Sequence, residues 1–123
     1  MDKMQAYHAF WASFSLPAYD ENSVPEAAQM PYVTYEAAVS GFDEDTALAA
    51  SLWYRTTSWA AITAKADEIS AHIGRGGKLI PFDGGVIWLR RGVPFYYRSG
   101  DDDDENIRRI VLNVSIEFLD TDE

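Results

Sequence analysis

Two histidines, His8 and His72, are the side chains of this sequence best suited to acid–base chemistry near neutral pH. Glu68 precedes His72 by four residues, so the two could share one face of a helix. No second histidine or acid stands at a spacing that would add a metal ligand to this pair, and no catalytic triad is recognisable. The sequence therefore predicts no catalytic residue and no metal ligand, although an active site assembled from dispersed residues stays open.

A run of carboxylates, Asp101–Asp104 followed by Glu105, is the second feature that could do chemistry, since hard cations prefer clustered oxygen ligands. A calcium loop of the EF-hand type that began at Asp101 would need glycine where Asn106 stands and a bidentate acid where Leu112 stands. The pattern favours a solvated acidic loop over a specific metal site.

Three glycines, Gly74, Gly76 and Gly77, resemble a phosphate-binding loop in composition. Such a loop follows a strand and opens a helix, whereas these glycines close a predicted helix. Leu79 also stands where a P-loop has serine or threonine. We therefore expect no nucleotide and no other cofactor.

Charge and composition narrow the class of partner. The 123 residues include 20 acids and 10 lysines and arginines, a formal net charge of −10. This charge argues against a broad phosphate-binding surface, so nucleic acid is not an expected specific ligand. A hydrophobic share of 47% nevertheless predicts a folded core.

Cysteine usage and the start of the chain give two further expectations. The sequence has no cysteine, so it can form neither a disulfide nor a zinc–thiolate site. Its first sixteen residues are interrupted by polar residues and fit neither a signal peptide nor a membrane span. We expect a soluble chain without a membrane partner.

The element that must organise the rest is a helix at residues 58–73. Ser58 is placed to cap its start, and Gly74 suits the residue that ends it. Its apolar residues recur at spacings of three and four, which predicts one buried stripe: Trp59, Ile62, Ala66, Ile69 and Ile73.

The predicted fold is α+β. A helix is expected within residues 1–16, a loop at 17–31 and a strand from Tyr32 that forms a hairpin with the segment 46–57. The sheet is expected to be mixed and mainly antiparallel, with about four to five strands and the helix 58–73 packed on it.

The second half of the chain supplies the other strands. Lys78–Phe82 and Val86–Arg90 flank an Asp-Gly turn, and Pro81 places the first of these at an edge of the sheet. A loop is predicted at 93–104. The last strand alternates most clearly and should be central, with these residues buried: Ile110, Leu112, Val114, Ile116 and Phe118. We expect one domain over residues 1–123, with a sheet and helix at 32–119 and a frayed tail at 120–123.

Arginine and aromatic side chains concentrate late in the chain, next to the acidic run. Both types are over-represented at the centres of protein interfaces. We predict a contact between subunits, in which arginines of one subunit meet carboxylates of another, formed by Phe95, Tyr96, Tyr97, Arg98, Arg108 and Arg109.

Four segments between residues 30 and 119 together resemble a known family. They are PYVTYE, WYRTTSW, GGKLIPFDGGVIWLRRGVPF and DDENIRRIVLNVSIEF, in that order. The sequence resembles the tail-terminator and tail-completion proteins of long-tailed bacteriophages, also called minor capsid or head–tail joining proteins. The resemblance lies in the order and character of the segments and involves no catalytic motif.

This resemblance implies a structural virion protein and no enzymatic reaction. Such a protein forms a ring, typically of six copies, that caps the tail tube at the head-proximal end and joins it to the head connector or stopper protein. It would assemble in the host cytoplasm and let DNA pass without binding it. The alternatives are another neck component, such as a connector stopper, or a non-viral α/β module that binds a protein or a ligand.

Within such a ring, we expect an acidic loop to face the lumen or a neighbouring ring. Carboxylates on a channel wall repel DNA phosphates over roughly 8 Å at physiological salt. The candidates are Asp43, Glu44, Asp45, Asp101, Asp102, Asp103 and Asp104.

Overall fold

The computed structural model describes residues 1–38, 45–100 and 104–120. In chain order, its elements are helix α1 (Lys3–Trp11) with a 3-10 turn (Ala12–Phe14), strands β1 (Ala18–Asp20), β2 (Tyr32–Tyr35) and β3 (Thr46–Arg55), helix α2 (Ala60–Ile73), and strands β4 (Lys78–Phe82), β5 (Gly85–Ser99) and β6 (Ile107–Asp120).

The strands form one six-stranded sheet in the order β1-β2-β3-β6-β5-β4. The β1–β2 pair is parallel and the other pairs are antiparallel. The predicted α+β class, the hairpin of β2 with β3 and the central position of the last strand are confirmed. β4 lies at an edge, as Pro81 indicated, because a proline cannot donate to a second neighbouring strand.

The sheet has more strands than predicted because β1 lies in the segment 17–31, which was predicted to be a loop. Its residues Ala18–Asp20 pair with Val33–Tyr35. A strand of three residues is too short for a detectable alternation, so only its tertiary pairing reveals it. The strand predicted from Tyr32 onward is also shorter than expected, since β2 ends at Tyr35.

Both helices lie on the same face of the sheet. The stripe of α2 is confirmed: Ile62, Ala66, Ile69 and Ile73 are buried, and Trp59 is half-buried against the same core. The helix begins two residues later than predicted, but the Ser58 hydroxyl oxygen accepts the N–H of Ala60 at 3.1 Å. This bond satisfies one of the N–H groups that a helix start leaves open.

Helix α1 is fixed at its start and along one side. The Asp2 side chain accepts the N–H of Gln5 at 2.8 Å, while the Gln5 side chain accepts the N–H of Asp2 at 2.9 Å. This capping box starts the helix at Lys3. The buried rings of the helix, Tyr7 and Trp11, face the sheet. No helix among the described residues is both long and apolar enough to cross a membrane.

The predicted loop at 93–104 is wrong over its first part, because β5 continues to Ser99. The strand is interrupted by a bulge, in which residues 92–95 stand opposite the single residue Asn113 of β6. Asn113 bridges the bulge, since its Nδ2 donates to the carbonyl oxygen of Pro94 at 3.1 Å. Gly92 and Pro94 are strong breaker signals in sequence, but pairing with β6 resumes at Tyr96 and carries the strand onward.

The sheet hydrogen bonds also set which side chains face the helices. All five residues predicted to point inward from the last strand are buried. That strand runs to Asp120, one residue into the segment predicted to be a frayed tail, and residues 121–123 lie outside the described part of the chain.

Candidate functional site

The predicted interface residues come together at one end of the sheet but are divided between its two faces. β5 and β6 pair there, with Tyr97 opposite Val111, Arg98 opposite Ile110, and Ser99 opposite Arg109. Successive residues of a strand point to opposite faces. Tyr96, Arg98 and Arg108 therefore share the helix-bearing face, while Tyr97 and Arg109 lie on the other.

On the helix-bearing face, two arginines enclose the ring of Trp59. The guanidinium carbon lies 4.6 Å from the ring centroid for Arg98 and 5.3 Å for Arg108. Arg108 is also held by carbonyl oxygens, because its Nη1 donates to Glu105 at 2.8 Å and its Nη2 donates to Thr57 at 3.0 Å. Arg98 is exposed and makes no ion pair within the described residues, so its guanidinium edge is available to a partner.

On the opposite face, Arg109 lies over Trp53, with 4.6 Å between its guanidinium carbon and the ring centroid. Its Nε donates to the Ser51 hydroxyl at 3.1 Å, and the indole N–H of Trp53 donates to the Thr34 hydroxyl at 2.9 Å. These bonds fix the two stacked side chains. Tyr97, on the same face, keeps 50% of its surface exposed.

Phe95 and Tyr96 connect the bulge to α2. Their rings meet edge to face at 6.1 Å, and both pack against the core. The Tyr96 hydroxyl donates to Asp67 Oδ1 at 2.7 Å, and this hydrogen bond raises the pKa of the Tyr96 phenol. These two residues therefore hold β5 in place, whereas Tyr97 and Arg98 remain exposed.

The two acidic candidates that lie in the described residues are far apart and already engaged. Asp45 precedes β3 and forms an ion pair with Arg90. Asp104, near the other end of β3, accepts the N–H of Asn106 at 2.9 Å and lies 3.5 Å from Arg55 Nη1. The length of β3 separates the two carboxylates by about 30 Å. The candidates outside the described residues are Asp43, Glu44, Asp101, Asp102 and Asp103.

The histidines do not combine with acids into an acid–base pair. His8 Nδ1 lies 2.7 Å from the Tyr35 hydroxyl, and the ring of His72 packs on Phe14 at 5.2 Å between centroids. Glu68, spaced to meet His72, instead accepts a hydrogen bond from Lys65 at 3.1 Å. Among the described residues, no three histidine or acid side chains converge in a way that could hold a metal ion.

A groove of about 590 Å³ runs along the outer side of α1. It is lined by Met1, Asp2, Met4, Gln5, His8 and Ala9, with more apolar than polar surface. No sequence pattern indicated this groove, because it forms where the helix meets the start of the chain. Its shape could accept a small apolar ligand or a side chain of another protein.

The sequence did not predict that Trp53 and Trp59 belong to the same surface as the arginines. Trp53 and Trp59 lie outside the arginine-rich segment, and only the register of β3 with β6 and the start of α2 brings them under the guanidinium groups. The surface is thus an arginine–aromatic end of the sheet, without an assembled catalytic group among the described residues.

Comparison with known proteins adds no relative to this description: no protein-family model matches the chain, and no curated protein matches it significantly.

Proposed function

We propose that the protein is a structural component of a phage virion: a tail terminator that forms a ring, of six copies, at the head-proximal end of the tail tube. The ring caps the tube and joins the tail to the head connector or stopper protein. The proposal rests on the resemblance of residues 30–119 to such proteins. The structural observation that supports it best is the exposed end of β5, where Tyr97 and Arg98 face outward on an otherwise acidic chain.

A closed ring of identical copies needs two different contact surfaces on each subunit. Arg98 supplies a positive charge that is held by stacking on Trp59 and is unpaired within the described residues. A chain with a net charge of −10 offers many carboxylates as the complementary surface. Stacking fixes the guanidinium in advance, so little side-chain freedom is lost on contact.

The acidic segments fit this role through their positions. Asp45 and Asp104 lie at opposite ends of β3, so the two cannot line one narrow constriction together. In a ring whose strands run along its axis, one acidic segment faces the head side and the other faces the tail tube. DNA then meets carboxylates on entry or exit and is repelled rather than bound.

Mass and shape measurements test the proposal. Light scattering on the purified chain, from micromolar to millimolar concentration, should show a hexamer of 13.8 kDa subunits, and electron micrographs should show rings with a central hole. If the ring needs the tube as a template, mixing with the tail-tube protein should produce it. Deletion of the gene from its phage should give overlong tails or unjoined heads and tails, and normal virions would contradict the proposal.

The groove along α1 favours one alternative, a module that binds a small apolar ligand. A strictly monomeric chain whose melting temperature rises with such a ligand would support that function over the ring.

Another neck component, such as a connector stopper, differs from the main proposal in its neighbours. Co-purification with connector protein but not with tube protein would favour it.

A further inference from the structure

The two flanks of the sheet carry open strand edges. β4 covers β5 only at residues 85–89, so Tyr96–Arg98 of β5 has β6 as its one neighbouring strand among the described residues. On the opposite flank, β1 has β2 as its one neighbour. Open edges present unpaired N–H and C=O groups, which can pair with a strand of another chain.

The backbone hydrogen bonds show which groups of β1 are open. The carbonyl oxygen of Pro17 accepts from Val33, and the N–H of Glu21 donates to Tyr35, both at 2.9 Å. In a parallel ladder, this pattern directs the backbone groups of Ala18 and Asp20 away from β2. The Asp20 carbonyl oxygen accepts the N–H of Ser23 in a turn. The N–H of Asp20 and the N–H and C=O of Ala18 therefore remain as the groups that face outward.

The two open edges lie at the same level of the sheet. Each residue of β1 can be followed across the paired strands to one residue of β5. The three rows are Ala18–Val33–Leu52–Ile110–Arg98, Tyr19–Thr34–Ser51–Val111–Tyr97, and Asp20–Tyr35–Ala50–Leu112–Tyr96. A copy placed beside the sheet by rotation alone, without a shift along the strands, therefore brings its β1 next to this part of β5.

The strand directions are also compatible. β1 runs parallel to β2, and the three following pairs, β2–β3, β3–β6 and β6–β5, are antiparallel, so β5 runs opposite to β1. If neighbouring copies are related by rotation about an axis along the strands, β5 of one copy and β1 of the next meet as antiparallel strands. Contacts of this kind, without a rise along the axis, close into a ring rather than a filament.

We infer that Tyr96–Arg98 of β5 pairs with Ala18–Asp20 of β1 in a second copy and joins the two sheets edge to edge. This inference rests on the proposed ring and names the surfaces that build it. Tyr97 and Tyr19 then stand opposite each other on the helix-free face. Arg98 and Asp20 become diagonal neighbours on the helix-bearing face, with about 7–8 Å between their Cα atoms, a distance that an arginine side chain spans.

The chemistry of the two edges is complementary. Beside the Arg98 guanidinium there is no carboxylate partner among the described residues, whereas the opposite edge carries Asp20 and the exposed Glu21. Asp20 Oδ1 accepts the N–H of Asn22 at 2.9 Å, but the carboxylate has no basic partner among the described residues. Aromatic pairs across strands stabilise a sheet by about 0.2–1 kcal/mol each. Tyr19 already meets Tyr32 edge to face at 5.6 Å, so the incoming Tyr97 would extend a row of rings.

The absence of native cysteine allows a direct test by cross-linking. The double variant Tyr19→Cys/Tyr97→Cys places the two thiols opposite each other across the proposed contact. Within one chain, the two positions are four strand spacings apart, about 19 Å, which is too far for a disulfide. Mild oxidation of the assembled protein should therefore give a ladder of multimers on a non-reducing gel.

The matched control is Tyr19→Cys/Leu79→Cys. Leu79 is 61% exposed on β4, the other strand at that flank of the sheet. If the control pair forms the ladder instead, β4 rather than β5 receives the neighbour and the inference is wrong. If β5 receives it, the control remains a single-chain band under the same oxidation.

A charge exchange provides a second, independent test. Arg98→Asp and Asp20→Arg should each weaken self-association about tenfold or more in sedimentation velocity, and the double variant should recover most of that loss. Arg75→Asp, the same charge change on an exposed residue two positions after the end of α2, should leave association unchanged. Circular dichroism of each variant checks that the fold is kept.

The outcomes separate this inference from the proposed function. If the wild-type chain forms rings, but the Tyr19/Tyr97 pair does not cross-link and the exchange has no effect, the edge pairing is wrong and the ring stands. A wild-type chain that stays monomeric at every concentration, and also with tube protein, overturns both.

Discussion

The Arg98 guanidinium carbon lies 4.6 Å from the centroid of the Trp59 ring, so a residue near the end of β5 stacks on the residue that precedes α2. Arg108, at the start of β6, contacts the same ring at 5.3 Å. One half-buried indole thus connects three elements and fixes the direction of an exposed positive charge. This contact turns a flexible side chain into an ordered part of the proposed interface.

The coupling between Trp59 and Arg98 should be measurable as an energy. In a double-mutant cycle of Trp59→Leu and Arg98→Met, chemical denaturation should give a coupling of about 0.5–1 kcal/mol, the range of an exposed cation–π pair. The parallel cycle of Trp59→Leu with Arg75→Met should give none. Equal values in both cycles would mean that the stacking contributes nothing.

Gly77 and Gly76 should respond differently to alanine. At Gly77, φ is +87°, and a Cβ would lie 2.7 Å from the Leu89 carbonyl oxygen, so backbone would have to move. We expect Gly77→Ala to lower the free energy of unfolding by about 1–3 kcal/mol. At Gly76 a Cβ meets nothing within 4 Å, so Gly76→Ala should change stability by about 0.5 kcal/mol or less. Similar losses in both variants would contradict this contrast.

Tyr7 should make the fold sensitive to alkali. Burial raises the pKa of its phenol above 10, so above pH 10 the unfolded chain loses the proton while the folded chain keeps it. The contribution of Tyr7 to stability is complete below pH 10 and falls as pH rises, by about 1.4 kcal/mol per pH unit. Urea denaturation from pH 9 to pH 11.5 should show a shallower decline for Tyr7→Phe than for the wild type.

The Tyr7→Phe variant also has an expected stability at pH 7. The Tyr7 hydroxyl is buried without a hydrogen-bond partner among the described residues. Its removal should therefore leave the free energy of unfolding at pH 7 unchanged or raise it by up to about 1 kcal/mol. A large loss at pH 7 would indicate that the hydroxyl makes a stabilising contact.

Alanine substitutions on the two faces of β6 should differ in how much they destabilise the protein. Ile116 is completely buried beneath the helices, so Ile116→Ala should lower the free energy of unfolding by about 2–5 kcal/mol through lost burial and a cavity. Ser115, the preceding residue, faces the side without helices and is half-buried. Ser115→Ala should cost about 0.5 kcal/mol or less, and an equal loss at both positions would contradict the assigned faces.

The long periodic segments could be predicted from sequence because their signals are local. Ile62, Ile69 and Ile73 repeat at helical spacing, and the alternation from Ile110 to Phe118 is that of a strand with one buried face. The Asp83-Gly84 turn likewise determines its own conformation through the positive φ of glycine. For such segments, the residues that choose the structure are neighbours in the chain.

The errors occur where distant pairing overrides local preference. Gly92 and Pro94 favour a break, yet β5 continues because β6 offers it a second run of partners from Leu112 to Arg109. Ala18–Asp20 has too few residues to show a period, and it becomes a strand because β2 lies beside it. Neither outcome is visible without the neighbouring strand.

The sequence by itself determined the α+β class, the helical stripe, the central strand and the late concentration of arginine and aromatic residues, since these are matters of composition and short-range period. The tertiary structure alone decided that Arg98 and Arg109 lie on opposite faces, that tryptophans from other segments orient them, and that β1 and the end of β5 lie in the same rows. The physical reason is that a strand fixes the alternation of its side chains locally, whereas its register and its free edge depend on which strands pair beside it.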